Sequence, residues 1–409
     1  MDYAKLKVAV AGSFGYKDIG DEAMLTEDLE FLINHLGIPR EQIYLFGHLN
    51  KYLSEYHSHP LSNCIYSPYL ERVSYSYQAN LLKKLITKAK IVYRRQSEGC
   101  RLVEKIANDC DFLLITGGGT INTRAACAES LSRMHSLISF FVHLKKPVFV
   151  SGQTIGPLGI NRYHDEKAKW IVENVDFLSV RDKHYSKRYL SLIDARPKRY
   201  LETYDDAYTL SYEDVKLPDD LQGFLGRGDC AAINVTKYTI SNQKEKEFIA
   251  RVVEYLVQDL GLNVIMVSHT PEDLSGLYVI FDMLDDSIKE RVLLPDFRDE
   301  RDRVLKKTIS QCKVAVGGRY HFIVFAGTAN VPFVGMCGNH YSYIKQDGFA
   351  RQIGQEAYIL NERDTWDFDV VTRKISERLE QKLELDQYFP YPSESMQALK
   401  DWIEECLLG

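Results

Sequence analysis

The sequence predicts two doubly wound, Rossmann-like α/β domains in tandem, and three observations carry that prediction. Short apolar runs alternate with amphipathic stretches along most of the chain, the pattern of parallel strands joined by crossover helices. Glycines and small polar residues cluster just after the apolar runs, where open parallel sheets bind their ligands. The chain has 409 residues, beyond the roughly 250–300 at which a single hydrophobic core stops growing.

In the amino-terminal half, Lys7–Ala11, Ile43–Phe46, Phe112–Thr116, Val148–Ser151 and Phe177–Val180 read as buried strands, with helices over Glu22–Leu36, Ala126–Leu144 and Glu166–Asn174. Ser211–Asp229 then interrupts the alternation. It is polar, with one proline and three glycines, and reads as a linker. The alternation restarts with strand Ala231–Thr236, helix Lys244–Leu260, strand Asn263–Ser268 and helix Pro271–Leu284. Strand Val292–Leu294, helix Asp299–Gln311, strand Lys313–Val316, helix His321–Ala329 and strand Pro332–Met336 follow. Residues 1–210 are therefore expected to form one domain, with a helical basic insertion near 70–108. Residues 211–229 link it to a second domain over 230–390, and 391–409 form a closing helix that returns to the first. Two such sheets facing each other define a cleft.

Composition is that of an ordinary soluble protein, 45% hydrophobic and 26% charged. No run of eighteen apolar residues suggests a membrane span. The amino terminus, MDYAKLKVAVAGSFG, leads into a β-rich stretch without the apolar core and cleavage site of a secretory signal, so a cytoplasmic location is expected. Eight cysteines are scattered with no C-x-x-C pair, which argues against a zinc site or a disulfide framework; no metal is expected. A net charge of −6 argues against a nucleic-acid partner. One stretch departs from that average. Between Lys83 and Lys105 lie eight basic residues against two acids, a surface suited to an anionic membrane or a lipid-linked substrate, or a solvated helix face.

The chemistry-bearing residues sit in the turns. After the first strand comes GSFGYKDIGDEAML, in which Asp21 reads as a helix N-cap and the amides of Glu22 and Ala23 as anion donors. The third turn carries Gly117-Gly118-Gly119-Thr120; consecutive glycines let backbone approach a ligand and direct N–H groups at phosphate or carboxylate. Ser151-Gly152-Gln153-Thr154 follows the next strand, and Arg181-Asp182 the fifth. Arginine at the mouth of a parallel sheet is a natural fork for oxyanions. In the second domain Gly317-Gly318-Arg319-Tyr320-His321 opens an apolar helix, where the dipole favours anions.

This ordered set resembles the polysaccharide pyruvyltransferase family. The matching pieces are GYKDIGDEAML, ITGGGT, SGQTIGPLG, SVRDKHYSKRYL, DDAYTL at Asp205–Leu210 and GGRYHFIVFAGTANVPFVGM, spread over roughly residues 8 to 345. The resemblance implies a fold like that of the GT-B glycosyltransferases. It also implies transfer of a pyruvyl unit from phosphoenolpyruvate to a sugar, usually as a ketal, with phosphoenolpyruvate as donor substrate and no cofactor. Arg181 matches the arginine of the family's SVRD turn, and Arg319 and His321 its R-x-H pair. Where relatives show S-x-R-x-H-A, this chain has Gly318 before the arginine and Phe322 after the histidine.

The residue types suit that reaction. Arg181, Arg319, Gly318, Lys345 and the Gly117–Thr120 loop are assigned to the donor's two anionic groups. Asp21, Glu22, Gln153 and Asp182 are assigned to a saccharide acceptor. His321 is the expected general base; Arg181 is a candidate acid by position but a poor proton donor, Asp182 and Asp21 are alternatives, and the sequence leaves that role open. The nearest rival is a nucleotide-sugar glycosyltransferase of the same architecture, with Asp347 gripping the ribose; a second is a non-catalytic protein that keeps the cleft for sugar recognition or partner assembly.

Overall fold

The strands form where the sequence is apolar without alternation, as in VAVA and FLLI, because such strands are covered by helices on both faces. The structure, a computed structural model, describes residues 2–66, 98–124, 128–236, 240–297, 301–381 and 391–408. Residues 83–97 of the basic stretch lie outside these, while Arg101 and Lys105 sit on the helix Glu98–Asp109. Contacts divide the chain into two units. The first comprises Met1–Tyr16, Met24–Asp206 and Pro392–Gly409, the second Lys17–Ala23 and Ala207–Tyr391.

In the first unit, β1 (Val8–Ala11), β2 (Ile43–Gly47), β3 (Cys64–Tyr66), β4 (Phe112–Ile115), β5 (Val148–Gln153), β6 (Phe177–Val180) and β7 (Tyr200–Glu202) form one sheet. Its order is β3-β2-β1-β4-β5-β6-β7, and every pair is parallel. Val8 stands opposite both Ile43 and Phe112, so the direction of winding reverses between β1 and β4. At such a switch point the following loops diverge and open a crevice. One face is packed by helices that contribute Val103, Leu131, Leu137 and Ile171. The other is packed by Leu25 and Leu29 of the helix Ile19–Glu30 and by Met396, Leu399, Trp402 and Ile403 of the helix Glu394–Leu407.

The second unit repeats the plan. β8 (Cys230–Asn234), β9 (Asn263–Val267), β10 (Val292–Leu293), β11 (Val314–Gly317), β12 (Phe333–Met336) and β13 (Ile359–Leu360) run parallel in the order β10-β9-β8-β11-β12-β13. The switch falls between β8 and β11, where Val314 pairs Ala231. Val252, Leu256, Leu277 and Ile375 pack from helices against Val264 and Val316.

Three features differ from the sequence reading. β3, β7 and β13 span three, three and two residues, too few for a hydrophobic period to register. Ser211–Asp229 is more than a linker: Pro218 precedes a helix, Asp219–Leu225, that buries Leu221 and Phe224. Lys17–Ala23, grouped by the sequence reading with residues 1–210, make their contacts in the second unit.

Candidate active site

In the second unit β11 runs through Gly318 and Arg319 into the helix Tyr320–Thr328. The Arg319 N–H donates to Asn234 Oδ1 at 3.0 Å, tying this turn to the end of β8. Arg319 Nε and Nη2 donate to the two oxygens of Asp273, each at 2.8 Å. Nη2 also donates to Thr270 Oγ1 at 3.2 Å, and Nη1 to Asp18 Oδ2 at 3.0 Å. The bidentate contact to fully buried Asp273 is the strong form of the guanidinium–carboxylate pair. Assigned from the sequence to the donor's anionic groups, Arg319 clamps two carboxylates that offset its charge.

Asp18, not Asp21, caps the helix Ile19–Glu30. Its Oδ1 accepts the Gly20 N–H at 3.1 Å and its carbonyl the Glu22 N–H at 3.0 Å. Burial tends to raise the Asp18 carboxyl, but Arg319, His269 and His321 outweigh it and its pKa is lowered. Asp21 and Glu22 lie in the first turn, where negative charge complements the helix dipole; Glu22 is buried. His321 packs directly on this helix start. A Cβ on Gly20 would fall 2.0 Å from His321 Nδ1, so glycine is required for the ring to lie there.

A second histidine lies close enough to feel the charge of the first. His269 follows β9, its carbonyl accepts the Ile19 N–H at 3.1 Å, and its Nδ1 lies 3.4 Å from the amide Nδ2 of Asn234. That amide also donates to the Val267 carbonyl at 2.7 Å; an amide nitrogen only donates, so Nδ1 accepts and the ring proton belongs on Nε2. Burial first, then Arg319 and His321, lower the His269 pKa to about 3 against the pull of Asp18. The ring is thus neutral across the physiological range. Lys345 Nζ lies over the rings of Tyr341 at 4.3 Å and Tyr320 at 5.7 Å. Its neighbour Gln346 donates to the Gly318 carbonyl at 2.8 Å. Asp347, which a ribose-binding role needs open, is buried and accepts from Arg351 Nε at 2.6 Å.

In the first unit Arg181 is buried and paired with Asp205, and its Nε donates to Thr154 Oγ1 at 2.9 Å. It is an internal ion pair where the sequence reading placed a ligand fork. Asp182 is likewise committed: it accepts the N–H groups of Tyr185 at 2.7 Å and Ser186 at 2.9 Å, together with the Ser186 hydroxyl, and so caps the helix Tyr185–Leu192. The glycine loop closes inward at two points. Gly117 N–H donates to Asp206 Oδ2 at 3.2 Å and Gly118 N–H to the Gly152 carbonyl at 3.2 Å. The Gly119 carbonyl accepts from Asn122 Nδ2 at 2.6 Å, and Thr120 lies 3.4 Å from the Ser13 hydroxyl. Gln153 Nε2 donates to the carbonyls of Thr116 and Ser151, which leaves its buried Oε1 without a hydrogen-bond partner among the described residues.

The structure thus brings Arg319, His321, Gly318, Lys345, Asp21 and Glu22 into the second unit, and the Gly117–Thr120 loop, Gln153, Arg181 and Asp182 into the first. Sequence reasoning missed Asp18, His269 and Asp273 in one unit and Asp205 and Asp206 in the other. Two signals were legible: the pair Asp205-Asp206 opens the DDAYTL segment, and Ser268-His269-Thr270-Pro271 places a histidine at a strand end before a capped helix.

Residues 20–341 match the family described as polysaccharide pyruvyl transferase. No curated protein matches the chain. Among solved structures, UDP-GlcNAc 2-epimerase from Methanocaldococcus jannaschii is similar at a TM-score of 0.62 and 11% identity, covering 97% of this chain and 99% of that one. The same protein in complex with UDP-GlcNAc and UDP gives 0.63 at 10% identity, with 97% and 99% covered. S. aureus MnaA with UDP gives 0.59 at 9% identity, with 98% and 97% covered. At such identities the likeness speaks for the fold alone, two α/β sheets of the GT-B kind. The sequence match, over most of the chain, says more: the protein belongs to the polysaccharide pyruvyl transferase family.

Proposed function

We propose that the protein transfers a pyruvyl group from phosphoenolpyruvate to two hydroxyls of a saccharide of a cell-surface polysaccharide or its precursor, closing them as a ketal. The observation that carries this reading is the imidazole of His321, seated on the glycine that opens the helix Ile19–Glu30, in a chain of this family. In the reaction C3 of the donor gains a proton, two hydroxyl oxygens add at C2, and the C2–O bond to phosphate breaks. One hydroxyl proton ends on C3 and the other on the departing phosphate.

His321 acts as general base on an attacking hydroxyl, a role that contributes typically 10²–10⁴-fold. Asp21, in the first turn beside the Asp18 cap, is the better acid for C3, since Asp182 is committed to a helix cap. Arg319 acts by fixing Asp18, Asp273 and the Gly318 turn, and Lys345 is the cation of that unit assigned to the donor. Gln153, at the end of β5 in the first unit, stays assigned to the acceptor in this reading. A cytoplasmic setting, a lipid-linked acceptor and membrane contact through residues 83–105 belong to the same proposal. No helix among the described residues is long and apolar enough to cross a membrane.

Phosphoenolpyruvate, and not UDP sugars, is expected to raise the melting temperature of the pure protein, since a ligand that binds only the folded state stabilises it by mass action. Stabilisation by UDP or UDP-GlcNAc with none by phosphoenolpyruvate would favour the nucleotide-sugar reading instead. His321→Ala is expected to keep the phosphoenolpyruvate shift while losing at least about 100-fold in phosphate release with acceptor present.

A further inference from the structure

The switch point of the first unit holds a pocket beside the glycine loop, and with it a cation, Arg133, to which the reaction above gives no role. The pocket, of about 50 Å³, opens between the ends of β1 and β4 and is walled by Ser13, Tyr16, Thr120, Ser130 and Arg133 over an apolar floor. Arg133, on the helix Ala128–His143, is built into this wall. Its Nη1 donates to the Tyr16 hydroxyl and its Nη2 to the Ser130 hydroxyl, each at 2.8 Å. Tyr16 is in turn stacked on His48, with centroids 4.7 Å apart and planes within 7°. These contacts fix a guanidinium at the pocket edge through two hydroxyls.

The wall is rich in donors. A guanidinium only donates, and a hydroxyl can turn its proton toward whichever oxygen it meets. Ser13 and Thr120 face each other at 3.4 Å, and both line the pocket with Ser130 and Arg133. The space suits a group of a few heavy atoms. Donors set around a small volume fit a tetrahedral oxyanion better than a planar carboxylate, and a half-buried charge acts more strongly than an exposed one. Open α/β sheets bind phosphorylated ligands at this place in the topology.

We propose that this pocket binds a phosphoryl group, with Arg133 as its fork and Ser13, Thr120 and Ser130 as hydroxyl donors. The proposal rests on the pyruvyl-transfer reading only for where the group comes from: the phosphate of the donor, or a phosphate carried by a glycosyl-phosphate acceptor.

Calorimetric titration of the full chain with inorganic phosphate, phosphoenolpyruvate and a hexose 1-phosphate separates these. Arg133→Gln is expected to weaken inorganic phosphate about ten- to hundredfold, the worth of a charge-assisted hydrogen bond, with the melting temperature held near wild type. Arg133→Lys, which keeps the charge and loses the fork, is expected to fall between, and carries the test if the glutamine variant does not fold. A parallel loss for phosphoenolpyruvate assigns the pocket to the donor; a loss confined to the hexose phosphate assigns it to the acceptor. Unchanged affinity of the folded variants for all three probes overturns the proposal, as does a wild-type chain that binds none of them. Phosphoenolpyruvate turnover is read separately. If wild type lacks it while Arg133→Gln still loses phosphate, the pocket stands and the pyruvyl-transfer reading falls.

Discussion

At the scale of single residues, Arg319 and Asp273 meet through two parallel hydrogen bonds inside the second unit, and burial sets what breaking them costs. Arg319→Ala leaves the carboxylate of Asp273, with no exposed surface, stripped of its cation. Such a break costs about 3–5 kcal/mol. Removing both partners leaves no orphaned charge at Asp273, while Asp18 loses its cation in the single and the double variant alike, so Asp273→Ala combined with Arg319→Ala should cost clearly less than the sum of the two single changes. Urea unfolding of the four proteins measures this, and additivity would deny the pair its coupling. The same geometry shows how far the site was legible in the sequence. Arg319 and His321 stand out because they follow a buried strand and open a helix. Their partner Asp18 lies some 300 positions away, and no periodicity or motif spacing reports a contact across that distance.

At the scale of elements, the glycine loop after β4 was legible as a turn but not in its direction. Three glycines suggest N–H groups turned outward, yet Gly117 is drawn inward by Asp206, which also accepts the Ser151 hydroxyl at 2.9 Å. Burial first, and then the neighbouring Asp205, push the Asp206 carboxyl up to about 7. An unfolded aspartate titrates near ~3.9, so between those values the folded chain holds one more proton than the unfolded one. Stability from this group is therefore complete below about pH 4 and is lost as pH rises through about 7. Asp206→Asn keeps an acceptor for Ser151 and removes the titration. The variant should gain on wild type by an amount on the order of 3 kcal/mol between pH 4 and pH 8. Melting temperatures taken across that range check it: parallel curves would mean that Asp206 ionises as an ordinary surface carboxylate does.

At the scale of the whole molecule, the alternation of apolar runs and amphipathic helices made two doubly wound sheets legible, because burial on both faces writes itself into composition. The order in which the chain builds them is less visible. The first unit is assembled from three stretches of sequence, the last of them beginning at Pro392, in the closing helix that the sequence reading returned to the first domain; which residue fastens it there is not written in the pattern. Trp402 decides it physically: buried, with its ring 5.6 Å from Phe112 and 5.6 Å from Phe149, it fills one face of the first sheet. The start of the same helix is tied down by Ser395, whose hydroxyl lies 2.7 Å from Ser151 and 2.9 Å from Ser179, beneath the loop that Asp206 holds. Trp402→Ala should therefore cost about 3–5 kcal/mol. A chain cut after residue 391 loses Met396, Leu399 and Ile403 from the same core. Against a usual domain stability of about 5–15 kcal/mol, that loss should leave the first unit unable to fold cooperatively. Near-ultraviolet circular dichroism and limited proteolysis of the truncated chain should then show β1–β7 cut rapidly while β8–β13 stay protected. Equal protection of both halves would mean that the closing helix contributes little to the sheet it covers.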